Sequence, residues 1–175
     1  HGGRVSADSP GSGHGATFTV WLPVAASSRA PDAPLHGDSA LPLDGARILI
    51  VDDSDEGLEA FQMLLEMAGA QVCAANAGQR ALQLLDDQQF DLIISDLAMP
   101  QMDGYTLMRA VRQCPQLADL PALAMTGLGR QQDIARAHAA GFTGHLSKPL
   151  DFEDMVCEVQ RLLGRQDAPL PAGPI

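Results

Sequence analysis

The sequence predicts an α/β protein in which five parallel strands form a sheet wrapped by helices on both faces. Three observations carry this expectation. Four apolar runs, Ile48–Val51, Leu92–Ser95, Ala122–Met125 and Phe142–Leu146, read as short strands covered on both sides. Stretches with helical periodicity separate them, so strand and helix alternate from Arg47 onward. The residues that close these runs, Asp52 and Asp53, Asp96, Thr126 and Lys148, are polar and fall at one edge of the sheet. In open α/β sheets that edge, outside the carboxyl ends of the strands, is where ligands gather.

In chain order, residues 1–23 hold a strand-like piece around Val5, a Gly-rich turn at 11–15 and a strand at Thr17–Leu22. Phe18, Val20 and Leu22 would share one face of that strand, with Thr17, Thr19 and Trp21 on the other. A lone hairpin is marginal in water, so this piece reads as the edge of something larger. Residues 24–45, rich in Pro, Ala, Ser and Asp, carry no periodicity and read as a flexible linker. The alternation then runs strand 47–51, helix 54–68, strand 71–75, helix 78–87, strand 91–95, helix 103–113, strand 121–125, helix 131–140, strand 142–146 and helix 151–163. Ser54 stands as the N-cap of the first helix; Leu58, Phe61, Leu65 and Ala68 fall on one face of it, and Gly69 stops it. Gly141 ends the fourth helix in the same way, and Asp103 with Gly104 supplies a helix start with an acid favoured by the dipole. Residues 165–175 contain three prolines and no core face, so no fixed structure is expected there.

At 175 residues the chain is long enough to bury a core, as one domain with an appendage. Aromatic residues make up only 4%, which leaves the core to Leu, Ile, Val, Ala and Met. A formal net charge of -11 without a basic stripe argues against direct nucleic-acid binding. Cys73, Cys114 and Cys157 are odd in number and far apart, which fits neither a disulfide framework nor zinc ligation; reduced thiols in the cytosol are expected. No apolar run reaches the length of a membrane span and no signal-peptide pattern opens the chain, so a soluble fragment is expected. It starts at His1 rather than Met, from which a longer parent protein is expected.

A single aspartate at a strand mouth could merely cap the following turn. Asp96 has company. With Asp52 and Asp53 it would crowd three negative charges, each like-charge pair at about 4 Å costing roughly 4 kcal/mol at an effective dielectric near 20. A hard divalent cation is the natural compensation, and Mg2+ suits oxygen ligands that leave room for water and a phosphate oxygen. A metal, the Lys148 ammonium and the Thr126 hydroxyl converging on one carboxylate would stabilise phosphoryl oxygens during transfer to Asp96 as nucleophile. The first strand is followed by VDDSDEG rather than a Gly-rich phosphate loop, so a nucleotide held by this domain is not the expected donor.

IVDD (50–53), SDLAMPQMDG (95–104), MTG (125–127) and SKP (147–149) are together similar to the motifs of the receiver domain of two-component response regulators. Asp96 lies 44 residues after Asp52, Thr126 lies 30 after Asp96, and Lys148 lies 22 after Thr126; these spacings suit that family too. The resemblance spans residues 46–164 and implies a flavodoxin-like sheet of order 2-1-3-4-5. It also implies that Asp96 accepts a phosphoryl group from a phosphohistidine. Asp53, Asp96 and the main-chain carbonyl of Ala98 would hold Mg2+, or Mn2+ in its place, with Asp52 assisting through water. Lys148, Thr126 and the N–H of Gly127 would bind the phosphoryl oxygens. Pro149 would follow Lys148 through a cis peptide bond, as is common in this family, aiming the lysine inward. The partner implied is a helical domain bearing the phosphohistidine, in a sensor kinase or a histidine phosphotransfer protein, docking near helix 54–68. Met63 and Met67 on that helix lie outside the Leu58, Phe61 and Leu65 face; they are either core or an adaptable part of that docking surface.

Three departures stand out. His145, three residues before Lys148, occupies the place where the family usually has a Tyr or Phe that swings inward on phosphorylation; it is either that switch, with a pH-sensitive side chain, or a half-exposed strand residue. Ala98 and Leu128 are apolar where many members carry side chains that influence how water reaches the acyl phosphate, so shielding alone is expected to govern hydrolysis. HGGRV (1–5) followed by GSGHGATFTVWLP (11–23) resembles the last strands of the ATP-binding domain of a sensor histidine kinase, without the boxes that hold ATP. Together the two resemblances imply the C-terminal end of a hybrid histidine kinase, cytoplasmic in this part even where the parent is membrane-anchored. The rivals are a pseudo-receiver that only binds partners and a Mg2+-dependent phosphatase of the haloacid dehalogenase type. The phosphatase needs a second Asp two residues after the nucleophile, where this chain has Ala98.

Overall fold

Along each central strand the side chains point alternately to two separate cores. Ile48, Ile50, Leu92, Ile94, Leu123 and Met125 enter one, and Leu49, Val51, Ile93, Ala122 and Ala124 enter the other. A sheet apolar on both faces needs helices on both, and the chain supplies them. The computed structural model describes residues 4–9, 11, 15–21, 41–127 and 131–165, and the chain divides into two units, His1–Gly37 and Asp38–Ile175.

In the first unit β1 (Arg4–Asp8) pairs antiparallel with β2 (Thr17–Trp21). The register sets Val5 opposite Val20 and Ala7 opposite Phe18 on one face. Val5, Phe18, Val20 and Trp21 are all exposed. Leu22, assigned above to the apolar face, lies outside the described residues.

The second unit runs β3 (Arg47–Val51), α1 (Asp55–Met67), β4 (Gln71–Ala75), α2 (Gly78–Asp87), β5 (Leu92–Asp96), α3 (Gly104–Gln113), a 3-10 turn (Pro115–Leu117), β6 (Ala122–Thr126), α4 (Gln131–Ala140), β7 (Gly144–Ser147) and α5 (Phe152–Leu162). All strand pairs in it are parallel. The order β4-β3-β5-β6-β7 is the expected 2-1-3-4-5 counted from β3. α1 and α5 cover one face through Leu58, Leu65, Met155, Val156 and Val159. α2, α3 and α4 cover the other through Ala81, Leu84, Leu107, Met108, Val111 and Ala137. Among the described residues no helix is long and apolar enough to cross a membrane.

Local chemistry sets the helix ends. Ser54 caps α1 by accepting a hydrogen bond from Gly57 N at 3.1 Å, and Gly69 follows its end at φ +98°. Asp103 caps α3 by accepting from Thr106 N at 2.7 Å, and the Thr106 side chain, with that main-chain N–H, holds its carboxyl below the usual carboxylate range. Within the stretch 24–45, Leu43 is fully buried and donates its N–H to Ala68 O at 2.9 Å. Scattered leucines among prolines and turn residues leave no periodicity to betray that anchorage.

Three strands are bounded differently from expectation: β5 and β6 begin and end one residue later, and β7 covers Gly144–Ser147 rather than 142–146. β5 and β6 each extend one residue further, so Asp96 and Thr126 are the last strand residues rather than the first beyond; Asp96 pairs with Met125. The polar side chains hid this because burial, not backbone pairing, drives an apolar-run signal. β7 starts at Gly144 instead of 142, because Phe142 N and Gly141 N close the end of α4 by bonding Ala137 O and His138 O. Phe142 is buried, but as part of that helix end.

Candidate functional site

The carboxyl ends of β3, β5 and β6 and the residue after β7 bring the predicted side chains to one edge. Asp52 and Asp96 are almost fully buried there. The Lys148 ammonium lies between them, 2.9 Å from Asp52 Oδ2 and 2.9 Å from Asp96 Oδ1. Each carboxylate has a further main-chain donor: Ser54 N to Asp52 Oδ1 and Ala98 N to Asp96 Oδ2, both at 2.9 Å. Charge-assisted bonds of this kind fix a carboxylate's direction as well as its charge. Burial alone would depress the Lys148 ammonium, but hydrogen bonds to Asp52 and Asp96, with their charges, outweigh it and raise its pKa. The Lys148–Pro149 peptide is cis.

This geometry differs from the expected crowding of three acids. Asp53 is exposed at the mouth while Asp52 and Asp96 are buried. Among the described residues no three His, Cys, Asp or Glu side chains gather closely enough to hold a metal by themselves. The compensating charge is the ammonium of Lys148, the only lysine in the chain. One ammonium against Asp52, Asp53 and Asp96 still leaves a net deficit of two positive charges.

Thr126 is buried at the end of β6, and its hydroxyl donates to Leu146 O at a long 3.4 Å. Its carbonyl accepts from Lys148 N at 2.7 Å, which fixes where the lysine's backbone leaves the sheet. Gly127 is exposed and faces open space. Leu128 lies outside the described residues, whereas Ala98 is exposed beside Asp96. His145 is half-buried on the edge strand β7, its ring 6.4 Å from that of His138 in an edge-to-face arrangement. His138 Nδ1 lies 3.1 Å from Phe142 O.

After β5 the chain turns through Met99–Met102, with Met102 N bonded to Pro100 O at 2.7 Å around Gln101 at φ +64°. A three-residue turn of that hand is uncommon and strained for a residue with a Cβ, and such strain concentrates at functional loops.

Two contributors were not visible as such in the sequence. Ser95, fully buried, donates its hydroxyl to Asp96 O at 2.8 Å. Gly104 is packed so closely that a Cβ there would lie 2.3 Å from Asp96 O. A hydroxyl inside an otherwise apolar strand was the available sign of the first; nothing in the sequence separates the second from an ordinary helix start.

The fold and this edge define a doubly wound α/β domain with a buried lysine-bridged aspartate pair. Residues 48–160 match the response regulator receiver domain family, and the chain belongs to it. It is similar to the DNA-binding dual master transcriptional regulator RpaA of Synechocystis, 39% identical over 121 residues, which cover 69% of this chain and 50% of that one. Among solved structures it is similar to the chemotaxis protein CheY4 of Vibrio cholerae, with 35% identity and a TM-score of 0.66 over 67% of this chain and 98% of that one. It is also similar to the receiver domain of a signal transduction histidine kinase from Syntrophus aciditrophicus, with 32% identity and a TM-score of 0.64 over 74% of this chain and 98% of that one. The chain spans between 30% and 56% of the length of the transcriptional regulators it matches.

Proposed function

We propose that Asp96 is the phosphoacceptor of this receiver domain and takes its phosphoryl group from a phosphohistidine. The observation that carries this is the buried Asp96 carboxylate at the carboxyl end of β5, held 2.9 Å from Lys148 Nζ and 2.9 Å from Ala98 N. In the transfer an Asp96 carboxylate oxygen attacks phosphorus, the P–N bond breaks, and the imidazole nitrogen keeps the electron pair and takes up a proton. Lys148, Thr126 and the N–H of Gly127 would receive the phosphoryl oxygens.

The donor set fits Mg2+. It is all oxygen and two positive charges short, and this ion needs only one or two carboxylates because it retains waters. Asp53, Asp96 and the Ala98 carbonyl would hold it, or Mn2+, with Asp52 assisting through water. Such an ion neutralises charge on the transferring group. Asp53→Asn is expected to leave metal-free stability within about 0.5 kcal/mol of wild type, because the side chain is exposed. The rise in melting temperature with Mg2+ should disappear in that variant. Scanning calorimetry with and without MgCl2 checks both; an undiminished Mg2+ response would remove Asp53 from the metal site.

The partner is a helical domain carrying the phosphohistidine, and α1 is the docking surface. Met63 and Met67 support this, being 63% and 53% exposed rather than packed in the core. A hybrid histidine kinase is the parent protein, with residues 1–23 the end of its ATP-binding domain, 24–45 a linker, 46–164 the receiver and 165–175 a tail. The similarity to a histidine kinase's own receiver domain supports this, as does the exposed apolar face of the β1–β2 hairpin, which a pair of strands cannot cover alone. His145, half-buried before Lys148, is assigned as the residue that repositions on phosphorylation. A cytoplasmic relay without nucleic-acid contact of its own agrees with the charge of -11. Incubation with a small phosphoryl donor and Mg2+ is expected to add one phosphoryl group, on Asp96.

A further inference from the structure

We infer that Ser95 and Gly104 are positioning residues for phosphoryl transfer, acting on the main chain of Asp96 rather than on its carboxylate. The inference rests on Asp96 being the phosphoacceptor.

The peptide unit joining Asp96 to Leu97 is held from several directions. Its carbonyl accepts the Ser95 hydroxyl at 2.8 Å, inside a strand where every residue is buried. Its N–H, that of Leu97, donates to Met125 O at 3.3 Å on the neighbouring strand. The first residue of α3 rests against the same unit and holds the next one: a Cβ on Gly104 would stand 2.3 Å from Asp96 O and 3.0 Å from Leu97 Cα, and Gly104 N donates to Leu97 O, in the following peptide unit, at 3.1 Å. Those approaches are to backbone atoms, which cannot swing aside as a flexible side chain can. Gly104 is therefore needed for space, not for an unusual dihedral angle, as it is absent from the positions with positive φ.

That unit sets the direction of the Asp96 Cα–Cβ bond. The side chain leaves it toward two fixed points, Lys148 Nζ and Ala98 N, each 2.9 Å from a carboxylate oxygen. Rotating the peptide plane, or lifting α3 from it, moves the nucleophilic oxygens relative to both. In-line attack depends on reactant placement to within about 1 Å, beyond which rates fall on the order of 10²-fold. Ser95 and the bare Gly104 thus hold the nucleophile from behind. Neither touches the reacting atoms.

The test compares Ser95→Thr with Ser95→Val, which match in shape and differ in the hydroxyl, so the cost of an added methyl group cancels. The rate constant for phosphorylation by acetyl phosphate is measured at saturating Mg2+ at a temperature where circular dichroism shows each variant folded. Ser95→Thr is expected to react roughly tenfold faster than Ser95→Val, with the half-saturating acetyl phosphate concentration the same in both. A purely structural role would lower both melting temperatures and leave the two rate constants equal, and equal rate constants would overturn the inference. Should the added methyl unfold both, Ser95→Ala introduces no bulk and decides the matter: a tenfold loss supports positioning, and the wild-type rate refutes it. Gly104→Ala is expected to lose on the order of 10²-fold while folded. A wild-type protein that takes no phosphoryl group would instead remove the phosphoacceptor assignment, which separates the two failures.

Discussion

Lys148→Met is expected to slow phosphorylation of Asp96 by roughly 10²- to 10³-fold, the usual loss when one preorganised donor to a transition-state oxygen is removed. The same change should destabilise the metal-free protein, because it leaves two buried carboxylates facing each other without the ammonium that lies 2.9 Å from each. Breaking a fully buried pair costs about 3–5 kcal/mol; one third of the Lys148 side chain is exposed, so solvent screening brings the expected loss to roughly 2–3 kcal/mol. The pH dependence has a definite sign. The Lys148 ammonium is raised above its ordinary 10.5, so its contribution is fully present below that pH and is lost as pH rises through the higher folded-state value. Urea denaturation from pH 8 to pH 12 should show wild type losing stability above about 10.5 and Lys148→Met lacking that component. Equal alkaline slopes, or an unchanged phosphorylation rate, would contradict the assigned role.

Arg112→Ala is expected to cost about 2–4 kcal/mol of stability while leaving the phosphorylation rate of the folded protein unchanged. The Arg112 guanidinium donates to Gly141 O through Nε at 3.0 Å and Nη2 at 2.8 Å, to Leu117 O at 2.8 Å and to Leu120 O at 2.7 Å. It thereby joins the end of α3, the turn that follows and the end of α4. Burial lowers its pKa, and truncation removes the side-chain donors of three carbonyls in a partly dry place, of which Leu117 O keeps the N–H of Leu120 at 3.2 Å. Lysine is not a substitute, since a single ammonium cannot reproduce the planar fork. Gly141 belongs to the same joint, with φ +107° and a hypothetical Cβ 2.7 Å from Arg112 Cγ. Thermal unfolding together with a single-turnover phosphorylation assay at 10 °C checks both halves; a large rate loss in the folded variant would show that the joint reaches the site.

The fold was legible because the two strongest signals agreed. Ile48–Val51, Leu92–Ser95 and Ala122–Met125 announced doubly covered strands, and caps such as Ser54, Gly69 and Asp103 marked where helices begin and stop. Strand ends at Asp96 and Thr126 escaped by one residue, since a polar side chain ends an apolar run without ending the hydrogen-bonded ladder. At the candidate site, the apolar runs were enough to bring Asp52, Asp96, Thr126 and Lys148 to one edge of the sheet, whereas the pairing was not readable. Which cation neutralises Asp52 and Asp96 depends on the direction of Lys148, a residue 96 positions from Asp52. Ser95 and Gly104 were hidden for a related reason: their effect is on a neighbouring backbone, and no side-chain pattern records it. Arg112 likewise looks like one more helix cation until its carbonyl partners are seen.

Intact mass measured after incubation with acetyl phosphate and Mg2+, wild type beside Asp96→Asn, tests Asp96 as phosphoacceptor most directly. The expected result is one added phosphoryl mass on wild type, lost on treatment with hydroxylamine as an acyl phosphate must be, and absent from the folded Asp96→Asn protein. An unmodified wild type that is folded and binds Mg2+, or an adduct that persists in Asp96→Asn and resists hydroxylamine, would contradict it.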